Sequence, residues 1–251
     1  MSLCRHQSTD HLHSDRVVDG DRGSGYIAVR ILGSRYGYAI SAIASGFASS
    51  TVTIATMGQR VISEPANVKI LSAAAVLSNL ATITQIGLIL VAVDPALLQS
   101  MWTPLLCGFI NTALYGACLL FHNTTGGCSA PIKVEGAFNL KLALIVTLTM
   151  TGITLLSSAM LSHFGQVGVM LTATFTGFAD PHSSTASIAS LAKAGLLPFS
   201  AIATPTVIAI SSNSISKCLV AWVSGGRRFA AYVIPGQILL TLSLWGGVWV
   251  H

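Results

Sequence analysis

The feature that most limits how this chain can fold is a long run of uncharged, mostly apolar residues. No Asp, Glu, Lys or Arg lies between Leu142 and Ala179, and after Asp180 the next charged residue is Lys193. A membrane-spanning helix needs about 20 mostly apolar residues. Charged residues make up 8% of the chain, whereas a soluble domain has about 25%. The sequence therefore predicts a multipass membrane protein.

Apolar segments of similar length recur along the chain, separated by short clusters of Gly, Pro and charged residues. We expect an all-α, polytopic membrane helix bundle of about seven transmembrane segments. We expect residues 1–25 to be a polar, disordered or non-native segment and residues 26–251 to form a single membrane domain. That domain has a first half at 26–121, a linking loop at 122–141 and a second half at 142–250. The segments are 36–57, 70–93, 96–121, 142–162, 164–192, 198–222 and 229–250.

The chain also resembles itself at a separation of 131 positions. The alternative is a chance match between small-residue helices. The second copy lies four predicted segments after the first, so we expect two parallel-related halves with an axis along the membrane normal. Lys and Arg in the short loops place the 58–69 and 122–141 loops in the cytoplasm, and Lys193 agrees, whereas Arg35, Arg227 and Arg228 fall on the other side. The aligned residues are Gly37, Ser41, Ala42, Gly46, Phe47 and Ala48 with Gly168, Thr172, Ala173, Gly177, Phe178 and Ala179.

One acid stands inside the long apolar run, in the sequence Asp180-Pro181-His182. A carboxylate in hydrocarbon costs about 2.5–3.5 kcal/mol on insertion scales, so it marks a candidate functional site. Pro181 lacks a backbone N–H and clashes with the preceding turn, which predicts a broken helix near Asp180-Pro181. Non-helical backbone at membrane depth is tolerated where it is buried in protein or lies beside a water-filled cavity. We therefore predict an embedded polar site at a discontinuous helix.

Polar side chains in other apolar segments are candidates for the same site. Lys217 is the second charged residue within a predicted span and could pair with Asp180, either functionally or as a structural ion pair, or reach an interface. The hydroxyls near Ser49 could equally serve helix packing, and His182 could be a proton carrier or a core residue. Asn79, Gln85 and Asn111 are further intramembrane amides. The candidate ion-binding residues are Asp180, His182, Ser183, Ser184, Ser49, Ser50, Thr51, Asn213 and Lys217.

The sequence does not indicate an enzyme or a cofactor. It contains no HExxH, GxSxG or P-loop pattern, and Asp180 has no second intramembrane aspartate to pair with. The N-terminal histidines lack a preformed site, so a metal ligand set stays unknown. The basic residues occur singly between apolar segments, which is typical of loop anchors rather than of nucleic-acid binding.

Several short motifs resemble, in order, the bacterial membrane domain of unknown function that accompanies MgtC/SapB-type proteins. They are Gly25–Gly33 followed by Gly46-Phe47-Ala48-Ser49-Ser50-Thr51, Asp94-Pro95-Ala96-Leu97-Leu98, Gly177-Phe178-Ala179-Asp180, Ser212-Asn213 with Lys217, and Val233-Ile234-Pro235-Gly236. The resemblance covers about residues 25–240 and implies a bacterial inner-membrane location without a settled activity. This chain differs from the family pattern at His182, where a second acid is expected, and at Gln85, where an arginine is expected. The apolar helix expected before Gly25 is degraded.

Two functions remain open at this point. The first is a small cation- or proton-linked transporter or ion-conducting protein that uses the broken helix. The second is a non-transporting, MgtC-like regulatory protein that docks on another membrane complex. The expected partners are the lipid bilayer, a small cation or proton, and a membrane protein or a second copy of the chain.

Overall fold

The computed structural model describes the backbone of residues 23–121 and 140–250, and side chains mainly over 37–121 and 162–250. This part of the chain is helical and contains no strand. The predicted N-terminal segment and most of the 122–141 loop lie outside the described residues. The helices are α1 Gly23–Ser63, α2 Val68–Val93, α3 Pro95–Gln99, α4 Trp102–Phe121, α5 Leu140–Ala179, α6 Pro181–Lys193 and α7 Ala203–Val250, with 3₁₀ turns at Pro65–Asn67 and Phe199–Ala201.

Four stretches in the described part of the chain are long and apolar enough to cross a membrane. Large apolar side chains point outward along them, as expected of surfaces that face lipid. The stretch Phe199–Val250 has 52 residues, which as a straight helix would be about 78 Å long. That is far more than the roughly 30 Å hydrocarbon core. The all-helical membrane class is thus supported, whereas the count of seven segments stays a prediction. The four stretches are Gly37–Ser63, Pro65–Val93, Trp102–Phe121 and Phe199–Val250.

Helix α1 folds back on itself. The Tyr38 hydroxyl donates to Glu64 Oε2 at 3.1 Å, and the Arg60 guanidinium lies 5.7 Å from the Tyr38 ring centre. In a straight helix the 26 residues from Tyr38 to Glu64 would span about 39 Å. The Ser45 and Thr53 hydroxyls are 2.9 Å apart, although residues eight apart rise about 12 Å in a straight helix. The two arms of α1 therefore pack side by side, with the bend near Ser49.

Helices α5 and α7 each contain a glycine turn. Gly165 has φ 57° and ψ −144°, and a methyl group on Gly168 would lie 2.2 Å from the Met160 carbonyl oxygen. Gly226 has φ 69° and ψ −171°. Glycine adopts positive φ without the steric cost that a Cβ brings. Trp245 Nε1 donates to Ser211 Oγ at 3.2 Å, so the arm after Gly226 runs back along the arm before it.

The two connecting loops 64–67 and 194–202 lie at opposite ends of the bundle. Lys193 Nζ donates to the Val93 carbonyl oxygen at 2.6 Å, which puts the end of α6 beside the end of α2. The 64–67 loop precedes the other end of α2, about 39 Å away along 26 residues. The structure therefore does not support the prediction that the 58–69 loop and Lys193 share one side of the membrane. That prediction assumed that every segment crosses the membrane once, which the fold-back of α1 contradicts.

Helix α4 and the second arm of α7 are antiparallel neighbours. Methyl groups on Gly247 and Gly236 would lie 2.5 Å from Pro104 Cα and 3.0 Å from the Tyr115 ring. Between these ends, Asn111 Nδ2 donates to the Leu239 carbonyl oxygen at 3.0 Å. The second arm of α7 has the same position in the second half of the chain as α4 has in the first half. Parallel-related halves would require these two to run the same way, so the observed arrangement does not support that relation.

A polar layer separates two apolar clusters in the core. Residues Ile70–Leu77 of α2 belong mainly to one cluster and Ile83–Leu90 to the other. Ser78, Asn79 and Thr82, all buried, lie between them. On α7 the apolar stretch 202–210 is followed by the buried polar residues 212–214 and Lys217. Residues near the middle of two long apolar helices thus form a polar cross-section of the bundle.

Candidate functional site

Asp180 is the N-cap of helix α6. Its backbone is extended, with φ −157° and ψ 112°. Oδ1 accepts a hydrogen bond from His182 N at 3.0 Å, and Oδ2 accepts one from Ser183 N at 3.0 Å. Aspartate is among the preferred N-cap residues because it satisfies backbone donors that have no intrahelical partner. Pro181 at the first helical position suits the same role. The predicted helix break is therefore present, and the acid itself caps the new helix.

Two side chains supply further hydrogen-bond contacts to the Asp180 carboxylate. His182 Nδ1 lies 2.7 Å from Oδ1, and the Ser183 hydroxyl donates to Oδ2. An ionised carboxylate only accepts hydrogen bonds, so neutral His182 carries its proton on Nδ1. His182 Nε2 then has a free lone pair, and this buried atom has no partner. The pair resembles the carboxylate–histidine arrangement that fixes an imidazole tautomer.

The break lies near the middle of the bundle. Helix α6 has 13 residues and is about 20 Å long, and it ends beside the end of α2. The Thr176 hydroxyl donates to Ser184 Oγ at 3.0 Å across a separation that would be about 12 Å in a straight helix. The second arm of α5 and α6 therefore meet in a sharp bend at Asp180, about 20 Å deep from the end at Lys193.

Lys217 is the centre of a second polar cluster. Its side chain is 2% exposed. Nζ donates to Asn79 Oδ1 at 2.8 Å and to Thr82 Oγ1 at 3.4 Å. Thr82 Oγ1 is also 2.8 Å from Ser50 Oγ. A buried charge is costly unless hydrogen bonds compensate it. This network therefore ties α1, α2 and α7 together in the polar layer.

Asp180 and Lys217 do not form the direct ion pair that the sequence suggested as one option. Asp180 instead contacts the His182 ring at 2.7 Å, and Lys217 donates its hydrogen bonds to Asn79 and Thr82. The sequence located a half-buried Asp180 and a buried Lys217 but could not identify the neutral groups that contact each of them.

The other candidate residues divide into those that join these clusters and those that do not. Ser183 and Ser184 contact the Asp180 bend, Ser50 joins the Lys217 cluster, and Asn213 is buried one turn before Lys217 on α7. Ser49 Oγ accepts from Val52 N at 3.3 Å at the bend of α1. Thr51 is half-buried, and no contact links it to either cluster in the described residues.

Thr82 and Thr176 are site residues that the sequence analysis missed. Each lies in an apolar helix where threonine is also a common packing residue, and the sequence carries no sign of its partner. Asn79 was recognised as an intramembrane amide and does join the site. Gln85 and Asn111 instead donate to the carbonyl oxygens of Phe47 and Leu239, at 2.8 and 3.0 Å.

Two pockets on the described surface lie at one end of the bundle. One is lined by Ser100, Ser200, Ala203, Thr204 and Val248, and another by Pro95, Leu98, Gln99 and Trp102. Asp180 lines neither of them. No group of three His, Cys, Asp or Glu side chains that could hold a metal ion occurs among the residues described.

The fold and the polar layer define an all-helical protein with helices suited to crossing a membrane. Residues 22–225 match the family model described as a domain of unknown function (DUF4010), and the chain belongs to that family. Comparison with curated proteins gives no match, and neither does comparison with solved structures. The association with MgtC/SapB-type proteins stays a prediction.

Proposed function

We propose that the chain is a small membrane transporter or ion-conducting protein that moves a proton or a proton-linked cation through the polar layer. The observation that carries this proposal is the bend at Asp180, where a carboxylate and a histidine lie about 20 Å from one end of the bundle. Ionisable residues at membrane depth commonly mark ion pathways and proton relays.

The geometry favours a proton over a metal cation as the ion that binds at Asp180 and His182. Both carboxylate oxygens already accept hydrogen bonds from His182 and Ser183. A metal cation would have to displace those donors to gain an oxygen ligand. His182 Nε2 is a free acceptor, and imidazole readily gains and loses a proton near neutral pH. A proton taken up on Nε2 would be stabilised by the carboxylate at Nδ1.

Proton flux into vesicles that contain the purified protein tests this proposal. Asp180→Asn should lower the flux about tenfold or more, because it removes the charge that supports His182. Asparagine is about as good an N-cap as aspartate, so this variant keeps the helix break. His182→Gln should have a similar effect. Flux is read from a pH-sensitive dye enclosed in the vesicles.

Asp94→Asn is the matched control. Asp94 also precedes a proline and also caps a helix, by accepting from Ala96 N at 2.9 Å, but it lies at the end of α2. Its replacement should leave flux unchanged. Full flux in Asp180→Asn would remove the carboxylate from the mechanism. If in addition Asp180→Ala lost stability by about 1 kcal/mol, capping alone would explain the acid.

A second candidate function is a non-transporting regulatory membrane protein that docks on another membrane complex. The observation in its favour is that both carboxylate oxygens of Asp180 cap backbone N–H groups of α6, which is a structural role, and two pockets on the described surface lie away from this bend. Such a protein would give no flux above empty vesicles, and Asp180→Asn would leave its binding to the partner complex unchanged.

A further inference from the structure

Three contacts of α1 recur in the second half at the same separation of 131 positions. The 2.9 Å contact between Ser45 and Thr53 hydroxyls corresponds to the 3.0 Å contact between Thr176 and Ser184. The hydrogen bond from Val52 N to Ser49 Oγ corresponds to that from Ser183 N to Asp180 Oδ2. These paired contacts lie at bends of the chain and not within straight helices. A chance similarity between apolar sequences therefore does not explain them.

The third recurring contact joins each bend to the helix behind it. A methyl group on Gly46 would lie 2.7 Å from the Ser78 carbonyl oxygen, and one on Gly177 would lie 2.5 Å from that of Ala209. Both members of the second pair follow the first by 131 positions. Each glycine thus allows the backbone of one arm to touch the next long helix, which is the usual role of small residues in membrane helix packing.

The two bends enter the bundle from opposite ends. The α1 bend is followed by the 64–67 loop, and the Asp180 bend is followed by the 194–202 loop at the other end of α2. Helix α4 and the second arm of α7, which follow the two bends at matching positions, are antiparallel. An axis that relates such elements lies across the helices, in the plane of the membrane.

We propose that the chain is an inverted repeat, in which two helical hairpins enter the membrane from opposite faces and end together at the polar layer. Hairpin 1 comprises the arms of α1 on either side of Ser49. Hairpin 2 comprises the second arm of α5 together with α6, on either side of Asp180. The tip of hairpin 1 contributes Ser50 to the Lys217 cluster, and the tip of hairpin 2 carries Asp180 and His182.

The repeat is symmetric in backbone but not in charge. Ser49 occupies the position of Asp180, and Ile86 occupies the position of Lys217. The buried Lys217 and the half-buried Asp180 therefore both belong to the second half. The first half supplies neutral oxygens from Ser50, Asn79 and Thr82. Hairpin 1 then encloses the site from one face with an uncharged tip, while hairpin 2 brings ionisable groups from the other.

Single cysteines at the ends of the hairpins test this arrangement. The five native cysteines (Cys4, Cys107, Cys118, Cys128 and Cys218) are first replaced by serine in the full chain. Ser63→Cys and Ala194→Cys are then introduced separately at exposed positions beside the two loops. Intact and opened cells are treated with a membrane-impermeant maleimide. The inverted repeat predicts that the two positions are labelled from opposite faces.

Gln99→Cys is the matched reference, because it lies exposed at the same end of the bundle as Ala194. It should be labelled from the same face as Ala194→Cys. Labelling of Ser63→Cys and Ala194→Cys from one common face would overturn the inverted repeat. The labelling does not depend on ion movement, so this inference and the proposed function fail or survive separately.

Discussion

Asn79→Ala should destabilise the protein by about 3 kcal/mol. This loss is larger than the one we expect on removing the charge of Lys217, to which Asn79 is hydrogen-bonded. The amide oxygen accepts the shortest hydrogen bond from the Lys217 ammonium. Without it, a buried cation retains the 3.4 Å contact with Thr82. Removing one partner of a buried charge typically costs about 3–5 kcal/mol. For a chain of this size, the midpoint of thermal unfolding in detergent should fall by roughly 6–12 °C.

Lys217→Met is the matched comparison, because it removes the charge itself rather than a hydrogen-bond partner of the charge. Methionine fills much of the same space without a charge, and replacing buried ionic groups by apolar ones is often close to neutral. We therefore expect a loss below about 1.5 kcal/mol. Asn111→Ala removes an amide that bonds a helix carbonyl at a more exposed site and should cost less than Asn79→Ala. If Lys217→Met proved the most damaging of the three, the ammonium would be a net stabilising group.

Gly177→Ala should be the second strongly destabilising change. A methyl group there would lie 2.5 Å from the Ala209 carbonyl oxygen and 2.7 Å from Ala209 Cα. The contact is with backbone, so α5 and α7 must move apart. Overpacking of this kind costs about 1–3 kcal/mol, which corresponds to roughly 2–12 °C in the unfolding midpoint.

Gly46→Ala and Gly246→Ala complete this series. A methyl on Gly46 meets the Ser78 carbonyl oxygen at 2.7 Å, whereas one on Gly246 meets nothing within 4 Å. Alanine is the better helix former by about 1 kcal/mol, so Gly246→Ala should be neutral or stabilising. Equal midpoints for Gly177→Ala and Gly246→Ala would show that the helices are not in the close contact described.

The sequence predicted those parts of the fold that are determined by residues close together in the chain. Asp180-Pro181 breaks a helix because aspartate caps and proline starts the next one, and both effects act within a few residues. The turn at Gly226 follows from the same kind of local chemistry. The membrane class followed from the scarcity of charge, which no arrangement of the chain could alter.

What the sequence could not supply was the bend of α1 and the identity of tertiary partners. Residues 45–53 contain neither proline nor a charged side chain, and Ser49 is an ordinary residue of an apolar helix. Its bend depends on contacts with α2 and with Glu64, which are distant in the chain. Counting that stretch as one full crossing reversed the inferred direction of later elements. This explains why parallel halves and a shared face for the two loops were predicted.

The distance between nitroxide labels at Ile40→Cys and Ile62→Cys tests the fold-back arrangement most directly. Both side chains are exposed, at 40% and 74%, and they lie on the two arms of hairpin 1. In this structure the arms pack side by side, and neighbouring helix axes are about 8–10 Å apart. Pulsed electron paramagnetic resonance in vesicles should therefore give a label distance below about 20 Å. A distance of about 33 Å, the length of 22 residues of straight helix, would contradict the account.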